Sequence, residues 1–274
     1  MNIVFLGGGN MAAAIIGGLV ARGRDAASIA AIDPVKAQRD KLATRFPGLR
    51  AFAATDASAI AGADIVVLAV KPQQMREACL ALAPHTDALR AVLSIAAGTR
   101  ARDIARWLGG YDRIVRAMPN TPALVGAGLS GLWAAPGVGQ DERAAAAAIL
   151  EACGQVLWVE REETLDAVTG VSSSGPAYVF YCIEALEAAA RAQGFDVAAA
   201  RKLAYATFDG AVKLALASAD PPAVLRAQVT SKGGTTERGV AALQSAGLLA
   251  AFDAAVDAAT KRAAEMGDLF GRDG

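Results

Sequence analysis

The first 160 or so residues alternate short apolar runs with helical patterns, and this alternation constrains the fold more than any other feature of the chain. Ile3–Leu6, Asp64–Val70 and Ala91–Ile95 have the length of strands, and Asp64–Val70 (DIVVLAV) shows no alternation of polar and apolar residues. Continuous apolar runs are typical of parallel strands that are covered on both faces. Helical patterns separate them, as in Asn10–Arg22. The series predicts an α/β fold with a parallel, doubly wound sheet.

The pattern changes after Glu160, where strand signals vanish and alanine-rich helices follow. We therefore predict a sheet domain over residues 1–160 and an all-α domain over residues 161–274. Stripes of alanine bury little area but let helix backbones approach closely. This favours helix-on-helix packing with a second copy of the chain, for which a C2 dimer is the commonest arrangement. Packing of these helices on the sheet domain is the alternative.

Composition and charge exclude several classes of protein. Hydrophobic residues make up 54% of the chain, and Lys plus Arg equal Asp plus Glu at 27 each, so we expect no nucleic-acid or membrane partner. No apolar stretch approaches the roughly 18 residues of a membrane span, and the N-terminus lacks the pattern of a signal peptide. Cys79, Cys153 and Cys182 are odd in number and form no CxxC pair. They predict reduced thiols, a cytoplasmic location and no metal site.

A glycine-rich turn directly follows the first apolar run. Gly7, Gly9 and Ala12 form a GxGxxA pattern, in which the first glycine permits a tight turn and the second lets a pyrophosphate approach the backbone. The helix that starts here adds unpaired N–H groups and a positive dipole end. A strand-to-helix turn without a ligand is the alternative. We expect NADPH or NADH to contact Gly7, Gly8, Gly9, Asn10, Met11 and Ala12.

Asp33 ends the second apolar run, a little over twenty residues after the glycine turn. A carboxylate at this position can accept hydrogen bonds from the ribose of adenosine and repel a 2′-phosphate. It favours NADH over NADPH, and the nearest cation in the sequence is Lys36. The alternative is that Asp33 only caps the helix that begins near Pro34, so the cofactor preference stays open.

Three further loops follow predicted strands, at the edge where open α/β sheets bind ligands. In the last of these loops, Pro119 and Pro122 stiffen the chain around Asn120, whose side chain can orient an amide or the substrate. An idle, exposed Lys71 and a Pro-rich loop with a purely structural role are the alternatives. We expect the loops to line the cofactor through Ala69, Val70, Lys71, Pro72, Ala96, Ala97, Gly98 and Asn120.

A second glycine-rich turn lies near the other end of the chain, within Val229–Gly239 (VTSKGGTTERG). Its hydroxyl groups and backbone N–H groups can bind a small anion. Together with the first turn, it predicts a cofactor and a small acidic substrate that the fold brings together. The expected substrate-binding residues are Ser231, Gly233, Gly234, Thr235 and Thr236.

The motifs resemble those of the pyrroline-5-carboxylate reductases over essentially the whole chain. The resemblance implies a Rossmann domain followed by an all-α dimerisation domain, and reduction of L-1-pyrroline-5-carboxylate to L-proline by NADPH or NADH. It also implies homodimers that assemble further into decamers. The motifs that carry it are GGGNMA at Gly7–Ala12, AVKPQ at Ala69–Gln73, RAMPNTPA at Arg116–Ala123, SSSGPAYVF at Ser172–Phe180 and TSKGGTTERG at Thr230–Gly239.

The resemblance also implies roles for single residues. Asp56 and Gln228 would join the dinucleotide site, Glu162 or Glu163 would lie near the substrate, and Thr235 and Thr236 would hold its carboxylate. The chain departs from the family pattern at three positions. Ser173 replaces a glycine, which questions the geometry of that turn; Lys232 replaces a proline found in many members; and Asp56 replaces a neutral polar residue.

The chemistry needs little acid–base machinery, because a protonated cyclic imine is already an electrophile and the cofactor performs the hard step. We expect Thr236 to donate the proton to the ring nitrogen, with a bound water as the alternative. A β-hydroxyacid dehydrogenase is a second functional hypothesis. It would need a helical lysine, for which Lys202 and Lys213 are the candidates. A non-catalytic NAD(P) sensor or scaffold is the third.

Overall fold

The computed structural model describes residues 1–271. The strands are β1 Ile3–Leu6, β2 Ile29–Ile32, β3 Arg50–Phe52, β4 Ile65–Leu68, β5 Ala91–Ser94, β6 Ile114–Met118, β7 Gly128–Ala134 and β8 Gly154–Trp158. The helices are α1 Asn10–Ala21, α2 Lys36–Arg45, α3 Ala57–Ile60, α4 Met75–Leu82, α5 Ala101–Trp107, α6 Gln140–Glu151, α7 Thr164–Val168, α8 Gly175–Ala192, α9 Val197–Ala217, α10 Pro222–Gln228, α11 Thr235–Ser245 and α12 Leu248–Phe270.

The strands form one sheet in the order β3-β2-β1-β4-β5-β6-β7-β8. Every residue of β1, β2, β4 and β5 is buried, as the continuous apolar runs predicted. The predicted α/β fold, a Rossmann-type sheet followed by helices, is confirmed. The carboxyl ends of β1, β4 and β5 lie side by side, since Leu6 pairs with Leu68 and Leu68 with Ser94.

The prediction of a wholly parallel sheet is wrong at one pair, because β6 and β7 are antiparallel. The loop between them is too short for the crossover that a parallel neighbour requires. Neither β7 nor β3 was predicted. The seven residues of β7 (GLSGLWA) are interrupted by glycines, and β3 has three residues, none fully buried, at the edge of the sheet. Neither strand therefore forms a continuous apolar run.

Contacts divide the chain into two compact units. The sheet unit comprises Met1–Ser174 together with the chain from Ala258 onward, and the helical unit comprises Gly175–Asp257. Helix α12 thus begins in the helical unit and ends in the sheet unit. The predicted boundary at residue 160 lies just after the last strand and does not coincide with this division. The domain boundary therefore stays a prediction.

The helical unit is built on the antiparallel pair α8 and α9, joined by a turn at Gly194 with φ of +96°. Asp196 caps α9, since its carboxylate accepts the N–H of Ala199 at 2.8 Å. The rings of Tyr178 and Phe252 meet edge to face at 6.5 Å. No residue of α8 is fully buried, so this unit leaves an apolar helix face uncovered by its own chain.

Within residues 1–271, no single helix combines the length and apolarity of a membrane span. Helices α11 and α12, which are bent by 47° relative to each other, have the length and apolarity of a span only when they are counted together. The predicted lack of a membrane partner stays a prediction.

Candidate active site

The glycine turn after β1 is locked to the end of β4. Gly7 has φ of +99°, and a Cβ added to it would lie 2.6 Å from the carbonyl oxygen of Ala69. The N–H of Gly7 bonds to Ile32 O at 2.8 Å, and that of Ala69 bonds to Leu6 O at 2.7 Å. Only glycine combines this backbone conformation with so close an approach. The turn therefore holds three neighbouring strand ends in register.

The residues at the start of α1 fit a dinucleotide pyrophosphate. Gly9 is the N-cap of α1, and no side chain caps this helix. No atom lies within 4 Å of a Cβ built on Gly9, so the space beside the backbone is open. Asn10, Met11 and Ala12 form the first turn of the helix, whose N–H groups and positive dipole end are free to receive an anion.

Asp33 turns its carboxylate toward the protein. Its Oδ2 accepts the N–H of Gly8 at 2.8 Å, its Oδ1 accepts the N–H of Val35 at 2.9 Å, and the residue is only 9% exposed. Because Val35 is the N-cap of α2, this second bond agrees in part with the alternative that Asp33 caps the helix after β2. Asp33 also fixes the middle of the glycine turn, and a contact with ribose stays a prediction.

The loops after β4 and β5 lie at the same edge of the sheet as the glycine turn. Lys71 is exposed in an extended conformation at the start of a short 3-10 helix, Pro72–Gln74. Gly98 has φ of +73°, and a Cβ added to it would lie 3.0 Å from Cβ of Met266 in the final helix. The structure thus brings together Gly7–Ala12, Asp33, Ala69, Val70, Lys71, Pro72, Ala96, Ala97 and Gly98. Their contacts with a cofactor stay predictions.

Asp56 serves as the N-cap of α3. Its Oδ1 accepts the N–H groups of Ser58 and Ala59 at 2.9 and 3.0 Å and the hydroxyl of Ser58 at 2.6 Å. The hydrogen bond from the Ser58 hydroxyl, followed by that from the Ala59 amide, lowers the pKa of this exposed carboxyl. The acidic residue that departs from the family pattern thus has a local structural role, and its contact with the dinucleotide stays a prediction.

Asn120 ties its own loop to the segment before α8. Its Nδ2 donates to O and Oγ of Ser172 at 3.2 and 3.1 Å, and its Oδ1 accepts the N–H of Leu129 at 2.9 Å. Ser173 adds a bond from its Oγ to Pro119 O at 3.2 Å. These contacts favour the structural alternative for the Pro-rich loop, while orientation of a ligand by Asn120 stays a prediction.

The serine at position 173 needs no glycine-like backbone. Thr169–Ser173 is a π-helical turn, a form that is frequent at functional sites. Within residues 1–271, no residue other than glycine has a positive φ. The departure at Ser173 therefore leaves the turn unstrained.

A buried network of ion pairs supports the loop after β5, and sequence reasoning missed it. Glu162 Oε1 accepts both Arg116 Nη1 and the N–H of Ala101 at 2.7 Å. Arg100 donates to both carboxylate oxygens of Asp166, at 3.2 and 2.7 Å. Burial lowers the pKa of Arg116, and the charge of Glu162 opposes this shift. The available signal was an arginine within an otherwise apolar strand, IVRAM.

The second glycine turn belongs to the helical unit. Gly233 has φ of +75° and donates its N–H to Glu237 Oε2 at 2.8 Å, and Gly234 is the N-cap of α11 with no side-chain cap. Thr235 and Thr236 open that helix and are exposed, as are Ser231 and Lys232. An exposed helix start of this kind suits an anion.

Gln228 lies at the end of α10, where its Nε2 donates to Asp220 Oδ2 at 3.0 Å. All the predicted substrate residues except Glu162 are therefore in the helical unit, while the dinucleotide turn is in the sheet unit. That the two sets form one site stays a prediction.

Comparison with known proteins gives two family matches. Residues 162–266 match the model described as pyrroline-5-carboxylate reductase dimerisation, and residues 2–98 match that described as NADP oxidoreductase coenzyme F420-dependent. The pyrroline-5-carboxylate reductase of Pseudomonas aeruginosa is 43% identical, over 99% of this chain and 98% of its own.

Solved structures agree with the sequence matches. That of a pyrroline-5-carboxylate reductase from Coxiella burnetii is 39% identical with a TM-score of 0.92, and covers 97% of this chain and 98% of its own. The Plasmodium falciparum pyrroline carboxylate reductase with NADP bound is 26% identical with a TM-score of 0.84, at the same coverage. The chain therefore belongs to the pyrroline-5-carboxylate reductase family.

Proposed function

We propose that this enzyme reduces L-1-pyrroline-5-carboxylate to L-proline, the last step of proline synthesis, with NADPH or NADH as the hydride donor. The observation that carries the proposal is similarity over the full chain, at 43% identity to a reductase of this name across 99% of the residues. Both glycine turns lie within that span. The open amides at the start of α1 supply the dinucleotide site that such a reaction requires.

The bound nicotinamide would supply a hydride to C5 of the imine. The residues of the sheet unit position and hold it. The start of α1 binds the pyrophosphate, and Ala96, Ala97 and Gly98 line the reactive end. Glu162 acts on this loop indirectly, since it holds the N–H of Ala101 and is itself fixed by Arg116. A loop fixed in this way reduces the entropy lost when the reacting atoms are aligned.

The turn before α11 would hold the substrate carboxylate. The N-cap Gly234, the hydroxyl groups of Thr235 and Thr236, and the positive end of α11 favour an anion, while the N–H of Gly233 already donates to Glu237 Oε2. We propose that Thr236 donates a proton to the ring nitrogen of the neutral imine as the hydride reaches C5, so that the C=N bond becomes C–N and N–H, and that water then returns a proton to the Thr236 oxygen. A bound water is the competing donor.

The alternative dehydrogenase chemistry finds little support in the helical unit. Lys202 and Lys213 are both exposed. Lys213 forms an ion pair with Asp209 at 2.7 Å, and both partners are more than 60% exposed. Neither lysine is buried in an apolar pocket, which is the setting that activates a lysine as a general base.

The dimerisation match supports a homo-oligomer, and we propose that dimers assemble further into decamers. We also propose a cytoplasmic location, which the three free cysteines support, because thiols stay reduced there.

The proposal is tested by initial rates of NADPH and NADH oxidation with pyrroline-5-carboxylate and, separately, with 3-hydroxy acids and the oxidised cofactors. Turnover of the imine alone supports the reductase. Turnover of hydroxy acids alone supports a dehydrogenase, and dinucleotide binding without turnover supports a sensor or scaffold.

The proton-donor assignment is tested by Thr236→Ala, which should lower kcat/KM by about 100-fold, the usual scale of a general acid. Thr207→Ala is the matched control, because that hydroxyl bonds to Leu203 O within its own helix, at 2.8 Å. Wild-type kinetics in Thr236→Ala would remove the role and leave water as the donor.

A further inference from the structure

The segment that joins β2 to α2 carries charges whose arrangement the sequence does not reveal. In Rossmann-type folds the residues after β2 distinguish NADH from NADPH, either by an acidic group on the ribose or by an arginine on the 2′-phosphate. Asp33 occupies the acidic position, yet both of its carboxylate oxygens already accept backbone N–H groups, from Gly8 and Val35. At 9% exposure it has little surface left for a ribose.

Arg39 lies at the same place, although it follows six residues later on α2. Its Nη1 donates to the carbonyl oxygens of Asp33 at 2.7 Å and of Pro34 at 2.9 Å. These bonds fold the side chain back over the first turn of its helix and fix the guanidinium beside the end of β2. A guanidinium carries five N–H donors, so Nε and Nη2 remain available after these bonds.

The guanidinium of Arg39 is bonded to the carbonyl oxygen of Asp33, whose own carboxylate is buried and accepts backbone N–H groups. Within residues 1–271, no carboxylate forms an ion pair with it, whereas the adjacent Lys36 is paired with Asp40 at 2.8 Å. The side chain is half-buried, which reduces screening by water. The side chain of the N-cap Val35 does not cap α2, and the carboxylate at this helix start, that of Asp33, accepts the N–H of Val35.

We propose that Arg39 binds the 2′-phosphate of the cofactor and makes the enzyme select NADPH over NADH. This reverses the preference that Asp33 predicts from sequence, because Asp33 acts on the glycine turn and not on the ribose. The inference rests on the proposed reductase function. It concerns only the adenosine end of the cofactor, so it can be tested by binding alone.

The test measures dissociation constants by calorimetry, without substrate, for 2′,5′-ADP against ADP and for NADPH against NADH. The wild-type protein should bind the 2′-phosphorylated member of each pair about 10- to 100-fold more tightly, the range of a charge-assisted hydrogen bond. This ratio should fall as salt is added. In Arg39→Ala the ratio should drop close to one, with the NADH constant changed no more than about twofold.

Arg24→Ala is the matched control. Arg24 also donates Nη1 to a backbone carbonyl, that of Met1 at 2.9 Å, and it is similarly half-buried. Its removal changes the net charge equally but should leave the ratio as in the wild type. Arg39→Gln provides a second test, since it removes the charge but keeps a polar side chain with hydrogen-bond donors on α2. The Arg39→Gln variant should lose the preference for the 2′-phosphorylated ligands and keep the wild-type affinity for NADH.

Equal wild-type binding of the two members of each pair would overturn the proposal, as would a ratio that survives in Arg39→Ala and Arg39→Gln. Loss of NADH and NADPH together in both variants would also overturn it, because Arg39 would then only support the turn. The proposed function fails separately, if the 2′-phosphate preference is present but no cyclic imine is reduced.

Discussion

Polar side chains around the candidate site bond mostly to the protein backbone. Asp33 accepts the N–H of Gly8, Glu162 accepts that of Ala101, and Asn120 accepts that of Leu129. The three bonds span 25, 61 and 9 residues of the sequence, and each holds a loop that follows a strand. A rigid loop at a strand end is what a site that works by positioning requires. At the scale of single residues, these side chains therefore act mainly through the loops that they hold.

Glu162 offers the sharpest test at this scale. Glu162→Ala would leave the guanidinium of Arg116, which is only 4% exposed, without its ion-pair partner. An unpaired buried charge costs about 3–5 kcal/mol, so we expect a loss of that size in the free energy of unfolding by urea. Glu163→Ala is the control, because Glu163 is exposed, and it should change the value by less than about 0.5 kcal/mol. Equal stability of the two variants would show that the ion pair contributes nothing.

The residue scale also shows where sequence reasoning stopped. Gly7, Gly9 and Ala12 could be assigned because their pattern is local and follows a strand. The bonding of Glu162 could not, since its partner Arg116 is 46 residues away and the two meet only through the fold. Arg39 was overlooked for a similar reason, because its guanidinium reaches back across a helical turn to the end of β2.

At the scale of elements, apolar runs predicted the buried strands well. The sequence placed β1 at its observed bounds, Ile3–Leu6, since a strand buried on both faces must be apolar throughout. Edge and antiparallel strands need not form a continuous apolar run, and for this reason β3 and β7 were not predicted. A side-chain cap gives a helix start a local signal in the sequence, because the cap and the N–H groups that it accepts are only a few residues apart.

Asp196 allows the contribution of such a cap to be measured. Asp196→Ala removes the acceptor for the N–H of Ala199 at the start of α9, and should lower the free energy of unfolding by about 1 kcal/mol. Asp209→Ala on the same helix is the control. That carboxylate forms an exposed pair with Lys213 and should contribute less than about 0.5 kcal/mol. Urea denaturation at one fixed protein concentration compares the two variants. An Asp196→Ala variant that loses no more free energy of unfolding than Asp209→Ala would contradict the prediction.

At the scale of the whole molecule, the helical unit exposes large apolar side chains that its own chain does not cover. Phe180 on α8 is 62% exposed and Tyr181 is 73% exposed, and Leu216 at the end of α9 reaches 79%. Exposed apolar surface of this kind marks an interaction surface. The family match to a dimerisation domain spans the same helices, and a second copy of the chain is the natural partner.

Phe180→Asp should therefore separate the subunits, since a carboxylate placed in an apolar interface must lose its hydration without a partner. Light scattering after size exclusion should give the monomer mass for this variant and at least the dimer mass for the wild type. Leu80→Asp is the control, because Leu80 is 48% exposed on α4 in the sheet unit, and it should keep the wild-type mass. The melting temperature of the wild type should also rise with protein concentration, because association stabilises only the folded chain. A Phe180→Asp variant that keeps the wild-type mass would place the subunit interface elsewhere, on a surface that does not include this part of α8.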